Sequence, residues 1–176
     1  MSPLPVRLSE ERGLWDLDNT LWDGVLIEGD QVRLRAGIPQ LLKYLDERGI
    51  LQSIASNNDH QSAWKELTRL GVADYFLYPQ INWTPKSRNI SAIAKQLGTG
   101  LDILAFVDDN PFEPDEVAST LPGVARVRAE DALGLINDPR FRGDGTEESR
   151  LRRRYYKEQI VQKKRRRSLH PTISAF

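Results

Sequence analysis

Short apolar runs ending in polar residues alternate with helical stretches along most of this chain, and that alternation is the tightest constraint on its fold. Residues 13–17 are apolar as far as Asp16; residues 50–56, 75–78, 103–107 and 124–127 have the same texture and predict further short strands. Between them lie helical patterns. One opens at Ile38-Pro39, has Leu41, Leu42 and Leu45 on one face, and stops at Gly49. A second runs through Trp64, Leu67 and Leu70 to Gly71, and a third carries Ile90, Ile93, Ala94 and Leu97 before Gly98. A fourth includes Val117 and Leu121. Residues 25–27 and 32–34, around Glu28-Gly29-Asp30, predict a β-hairpin. Strand–helix alternation of this kind predicts an α/β domain, a Rossmann-like three-layer arrangement with a mostly parallel sheet covered on both faces. About twenty residues separate Asp16 from the helix near Pro39, too few for a globular cap, so a small hairpin flap and a minimal cap are expected.

Ligands on such sheets sit at the carboxyl ends of the strands. Asp16, Ser56, Lys86 and Asp108 all fall at or just beyond a predicted strand end. The first lies in Leu14-Trp15-Asp16-Leu17-Asp18-Asn19-Thr20-Leu21-Trp22. In an extended chain Asp16 and Asp18 start out on one face, where two carboxylates repel unless a cation or a shared proton lies between them. Mg²⁺ suits such a pair, because it takes carboxylate oxygens and keeps water or phosphate as its other ligands. One carboxylate can then act as a nucleophile and the other as general acid and base. Each feature alone has a plainer explanation. D-x-D is common, Ser56 fits a helix cap, and a lysine such as Lys86 is usually solvated. Asp108-Asp109 is harder to dismiss, because two adjacent acids at a buried strand end are costly without a cation. Trp22 reads as packing, and His60 and His170 have no partner spacing.

The chain has 176 residues and no cysteine, which excludes disulfides, thiolate metal sites and cysteine nucleophiles. No apolar run reaches membrane length and the first residues lack a signal-peptide core, so a cytoplasmic protein without membrane association is expected. Lysine plus arginine equals aspartate plus glutamate at 25 each, yet the basic residues crowd the end: Arg150, Arg152, Arg153, Arg154, Lys157, Lys163, Lys164, Arg165, Arg166 and Arg167. Residues 1–145 are read as the catalytic domain. Residues 146–176 are read as a basic C-terminal helix capped by Thr146, with Glu147 and Glu148 in its first turn. That helix is expected either to present an interaction surface to an acidic protein partner or to pack, solvated, on the acidic domain. Nucleic acid is not expected, since aromatic residues are not interleaved beyond Tyr155-Tyr156.

The order of the motifs is D-x-D-x-T, a strand-end serine, a lysine before a helix, and Asp-Asp after a strand. It differs from response-regulator receivers and resembles the haloacid dehalogenase (HAD) superfamily. The resemblance implies the HAD fold and Mg²⁺, with Asp16 as the nucleophile forming an aspartyl-phosphate and Asp18 as general acid and base. It further implies that Thr20 holds the loop bearing Asp18, and that Ser56 and Asn57 bind phosphate. Lys86 would neutralise the phosphoryl charge and fix Asp16. The metal would lie between Asp16, the Asp18 carbonyl, Asp108 and Asp109. Asn82-Trp83 before Lys86-Ser87-Arg88-Asn89-Ile90, and Phe106-Val107-Asp108-Asp109-Asn110-Pro111-Phe112-Glu113, are similar to the FkbH-like proteins, also called subfamily IIIC phosphatases. Members work in natural-product biosynthesis, and several load a glyceryl unit from 1,3-bisphosphoglycerate onto an acyl carrier protein through a cysteine. Here that position is Ala55. The expected activity is therefore a phosphatase or phosphotransferase acting on a phosphorylated substrate, free or carrier-bound, with an acyl carrier protein as the implied partner of the basic helix. Glyceryl transfer is the alternative.

Overall fold

The structure, a computed structural model, describes residues 11–109 and 114–170, with only the backbone of Pro114 and Asp115. The expected lead-in over residues 1–10, the Asn110-Pro111 turn with Phe112 and Glu113, and tail residues 171–176 lie outside the described residues.

Five parallel strands form the central sheet. They are β1 (Arg12–Trp15), β4 (Gln52–Ser56), β5 (Gln80–Ile81), β6 (Leu104–Asp108) and β7 (Ala125–Arg128), in the order β5-β4-β1-β6-β7. A parallel sheet needs cover on both faces, and the two-residue period of the strands supplies an apolar side chain to each. Trp15, Ile54, Ala105 and Val107 join one core with α1 (Ile38–Glu47) and α2 (His60–Arg69). Leu14, Ala55, Leu104 and Phe106 join the other with α3 (Lys86–Leu97) and α4 (Pro114–Thr120). β1 pairs Trp15 with Ile54 on one side and with Val107 on the other. The chain therefore leaves β1 toward β4 and later returns to its opposite side as β6. That reversal of strand order opens a crevice at the carboxyl end of β1.

Two sequence expectations are corrected. The flap ladder joins β2 (Trp22–Asp23) to β3 (Arg33–Leu34), antiparallel, with Trp22 opposite Leu34. Residues 25–27 do not form its first strand; Leu26–Glu28 is a 3₁₀ turn. Carboxylates explain the difference: Val25 N–H donates to Asp30 Oδ2 (2.8 Å) and Leu26 N–H to Asp18 Oδ1 (3.1 Å), so these amides are not offered to a partner strand. Residues 75–78 likewise do not form a strand. Tyr75 closes a 3₁₀ turn, Phe76 makes an isolated parallel bridge to Gln52, and Tyr78 adopts φ +50, outside the β region, so a continuous ladder forms only where Gln80 and Ile81 meet Ala55 and Ser56.

The C-terminal helix is two helices, α5 (Glu147–Arg150) and α6 (Arg152–Leu169), broken at Leu151. Thr146 caps α5 by accepting from Ser149 N–H (3.1 Å). Gly49, at φ +74, lets α5 approach the end of α1, since a Cβ there would lie 2.8 Å from Ser149 Cβ. The first half of α6 is tied to the domain. Arg153 forks onto Asp46 (2.7 and 3.2 Å), Lys157 reaches Asp74 (2.8 Å), and Tyr156 donates to the Leu97 carbonyl (3.3 Å). Beyond Ile160 every described residue of α6 is exposed. Among the described residues no helix is long and apolar enough to cross a membrane.

Candidate active site

Asp16 follows the last β1 residue and still accepts sheet geometry, its N–H donating to the Val107 carbonyl (3.0 Å). Its Oδ1 accepts from Leu17 N–H (2.8 Å), which fixes the carboxylate plane. Asp108 ends β6 beside it. Between the two sits Lys86, whose Nζ donates to Asp16 Oδ2 (2.9 Å) and Asp108 Oδ2 (3.2 Å). All three side chains are at least nine-tenths buried. Burial, followed by the Asp108 charge, pushes the Asp16 carboxyl up to about 7 against the opposing pull of Lys86. Asp109 is exposed, and its carboxyl is also raised, by desolvation first and then by Asp108.

Lys86 is held where it is by the loop before α3. Asn82 N–H donates to the Ser56 carbonyl (3.1 Å), and Asn82 Oδ1 accepts from Thr84 N–H (3.0 Å) and Asn89 Nδ2 (2.9 Å), so the loop is clipped to the end of β4. Ser87, the next residue, donates its N–H (3.3 Å) and its hydroxyl to Glu116 from α4. Ser56 is buried, and its hydroxyl opposes the rise of the Asp16 carboxyl. Thr20, fully buried, lies 3.5 Å through Oγ1 from Asp109 Oδ1.

Oxygens of Asp16, Asp108 and Asp109 all lie within 4.8 Å of one another. Three carboxylates against one ammonium leave a net negative nest of hard oxygen donors, which fits a divalent cation such as Mg²⁺. The Asp18 carboxylate is not in that nest. It turns to Trp22 Nε1 (2.9 Å), Leu26 N–H (3.1 Å) and Asn58 Nδ2 (3.0 Å). The Asn57 side-chain amide reaches the carbonyls of Thr84 (2.9 Å) and Asn82 (3.1 Å), which braces the lysine loop beside the site. Asn58 and Glu116 were not singled out from sequence. The two-residue spacing of Ser56 and Asn58 was the available signal for the first; Glu116 had none. Trp22 is core, as expected, and in addition donates a hydrogen bond.

The sequence model of the haloacid dehalogenase-like hydrolase family matches residues 22–113. No curated protein sequence matches the chain. Among solved structures, the N-terminal part of protein BF1531 from Bacteroides fragilis, containing a phosphatase domain complexed with Mg, is 26% identical with a TM-score of 0.65. The alignment covers 78% of this chain but only 42% of that one. An uncharacterized Listeria monocytogenes protein is 19% identical (TM-score 0.56), covering 72% of this chain and 98% of its own. A HAD-superfamily hydrolase from Ehrlichia chaffeensis is 14% identical (TM-score 0.56), with 72% and 95% covered. The last two share the fold. With just over half of its length matched by the family's sequence model, this chain belongs to the haloacid dehalogenase-like hydrolases.

Proposed function

We propose that the protein is an Mg²⁺-dependent phosphatase or phosphotransferase that works through an aspartyl-phosphate on Asp16. The observation that carries this reading is the buried Lys86 ammonium between Asp16 and Asp108, with Asp109 within ligand distance. A phosphate dianion cannot approach a carboxylate nucleophile unless positive charge offsets the repulsion. Asp16, Asp108, Asp109 and the Asp18 carbonyl would hold the metal, which when bound supplies charge neutralisation and orients the phosphoryl group.

The chain's own groups do the rest. An Asp16 oxygen attacks phosphorus; the new O–P bond forms as the bond to the leaving oxygen breaks, and Asp18 gives that oxygen its proton. Water then attacks the phosphorus of the aspartyl-phosphate and passes its proton to Asp18. Inorganic phosphate leaves and both aspartates are restored. Lys86 and the Ser56 hydroxyl bind the transferring group, and Thr20 steadies the loop between Asp16 and the flap. The catalytic unit is read as residues 1–145, with residues 146–176 as a basic C-terminal segment whose helix α6 packs on it through Arg153 and Lys157.

Among subfamilies we favour an FkbH-like phosphatase of natural-product biosynthesis over a glyceryl transferase. Ala55 is fully buried and offers no nucleophile, and Ser53, on the same strand, donates its hydroxyl to the Tyr78 carbonyl (3.2 Å). A carrier-bound phosphate and an acidic carrier protein remain the proposed substrate and partner, supported by the exposed Lys163, Lys164, Arg165, Arg166 and Arg167. The test is phosphate release from a panel of free and carrier-bound phosphates. Release with Mg²⁺ that stops on chelation is the expected result, and none from any substrate in Mg²⁺ would overturn the reading.

A second measurement follows from Asp16. Its carboxyl is raised in the metal-free fold, to about 7, so its contribution to stability is full below the unfolded carboxylate value of about 4 and is lost as pH rises through 7. Mg²⁺ favours the anion. The rise in melting temperature on adding Mg²⁺ is therefore expected to grow from pH 5 to pH 8; a rise independent of pH in thermal melts with and without chelator would contradict this.

A further inference from the structure

Three donors converge on the Asp18 carboxylate, and they come from three different parts of the chain. Trp22 Nε1 from β2 (2.9 Å) and Leu26 N–H from the flap turn (3.1 Å) both donate to Oδ1; Asn58 Nδ2, just after β4, donates to Oδ2 (3.0 Å). Trp22 is fully buried and Asn58 is 2% exposed, so both donate from desolvated positions, where a hydrogen bond to a carboxyl oxygen is strong and directional. A carboxylate accepts about four hydrogen bonds, two at each oxygen. Oδ1 is therefore filled and Oδ2 keeps one open position.

We propose that Trp22 and Asn58 are positioning residues that, with the flap amide of Leu26, fix the rotamer of Asp18 so that Oδ2 alone is presented to the leaving oxygen. This rests on the general-acid role of Asp18 in the reading above. It also gives the flap a chemical duty. Leu26 donates from within the turn that stands where a cap would be, so the flap's position and the aim of Asp18 are one geometry. A substrate that shifted the flap would lose an Asp18 donor, and a well-fitting one would keep it.

A positioning role is separable from packing by leaving group. Single-turnover phosphorylation of the full chain in Mg²⁺ is followed with two substrates of matched shape, 4-nitrophenyl phosphate and phenyl phosphate. The nitrophenolate departs without a proton and the phenolate benefits from one. Trp22→Phe keeps most of the bulk and removes the donor; Asn58→Ala removes the other donor from an independent site, should Trp22→Phe fold poorly. Complete general acid catalysis is worth roughly 10²- to 10⁴-fold. Each variant is expected to slow the phenyl reaction by about 10-fold or more and the nitrophenyl reaction by less than about 3-fold. The double variant should lose less than the product of the two, because both act on one carboxylate.

Asp18→Asn, run in parallel, separates the two layers of the argument. If Asp18→Asn shows the split and neither Trp22→Phe nor Asn58→Ala does, the positioning proposal is overturned while the general-acid reading stands. If Asp18→Asn slows both substrates alike, the general-acid reading falls and the positioning proposal with it. The split in Asp18→Asn and in at least one donor variant supports both.

Discussion

Asp16→Asn is expected to reduce phosphate release to the uncatalysed background, a loss on the order of 10⁴-fold or more, with the fold intact. An amide does not attack phosphorus, so no phosphoprotein can form. The structure gives reasons to expect folding to survive. The Asn oxygen can still accept from Leu17 N–H, the contact that Asp16 Oδ1 makes at 2.8 Å, and Lys86 keeps its bond to Asp108 at 3.2 Å. Burial already disfavours the Asp16 anion, holding its carboxyl up near 7, so neutralising it removes a strained charge rather than a stabilising one. The melting temperature in chelator should therefore be equal to or above that of the parent chain. Asp18→Asn, by contrast, should accumulate phosphoprotein from a substrate with a good leaving group, because the first step can proceed and water is no longer activated for the second. Intact mass after a brief incubation distinguishes the two variants. Phosphoprotein in Asp16→Asn, or undiminished turnover, would remove Asp16 from the nucleophile's place.

The parts of this molecule that were legible in sequence are those where one local rule decides. β1 and β6 are runs of apolar residues ended by an acid, and both strands and both acids lie where the run predicts. α1, α2 and α3 end at Gly49, Gly71 and Gly98, each at positive φ, because their apolar faces and their stop signals agree. The flap was not legible as built, because the carboxylates of Asp18 and Asp30 take amides that the alternating pattern assigns to a ladder. Residues 129–141 carry no α-helix or strand signal: Ala129–Asn137 coils as a 3₁₀ helix that buries every third residue, Ala129, Ala132 and Leu135, and Phe141 closes a second 3₁₀ turn. In the site, the acids and the lysine were visible as motifs. Their supports were not, since Asn58 reaches Asp18 across 40 positions and an indole in an apolar stretch reads as packing whether or not its N–H has a partner.

Lys86→Met is expected to unfold the protein more readily than any other single change at the site, and to abolish turnover as well. Lys86 Nζ lies 2.9 Å from Asp16 Oδ2 and 3.2 Å from Asp108 Oδ2, with 7% of its side chain exposed. Methionine fills a similar volume, so the change deletes a charge more than it opens a cavity. What remains is a pair of buried carboxylates facing each other with no ammonium between them. Removing one partner of a buried ion pair costs about 3–5 kcal/mol, and here one cation serves two anions. In chelator the variant is relieved by protonation of Asp16, whose carboxyl already lies up near 7 in the parent fold, so its deficit should shrink as pH falls from 8 to 5. Mg²⁺ offers a second relief, since the same carboxylates would ligate it. The stabilisation by Mg²⁺ should thus be larger in Lys86→Met than in the parent chain, although activity stays lost for want of the group that meets the phosphoryl charge. Lys86→Arg is not expected to restore either property, because a planar guanidinium cannot occupy a buried site built for a compact ammonium. Thermal melts of parent and variant at pH 5 and pH 8, with chelator and with Mg²⁺, decide the matter. A variant as stable as the parent at pH 8 in chelator would mean that the two carboxylates are not held ionised against each other, and the electrostatic account of the site would have to be rebuilt around a shared proton.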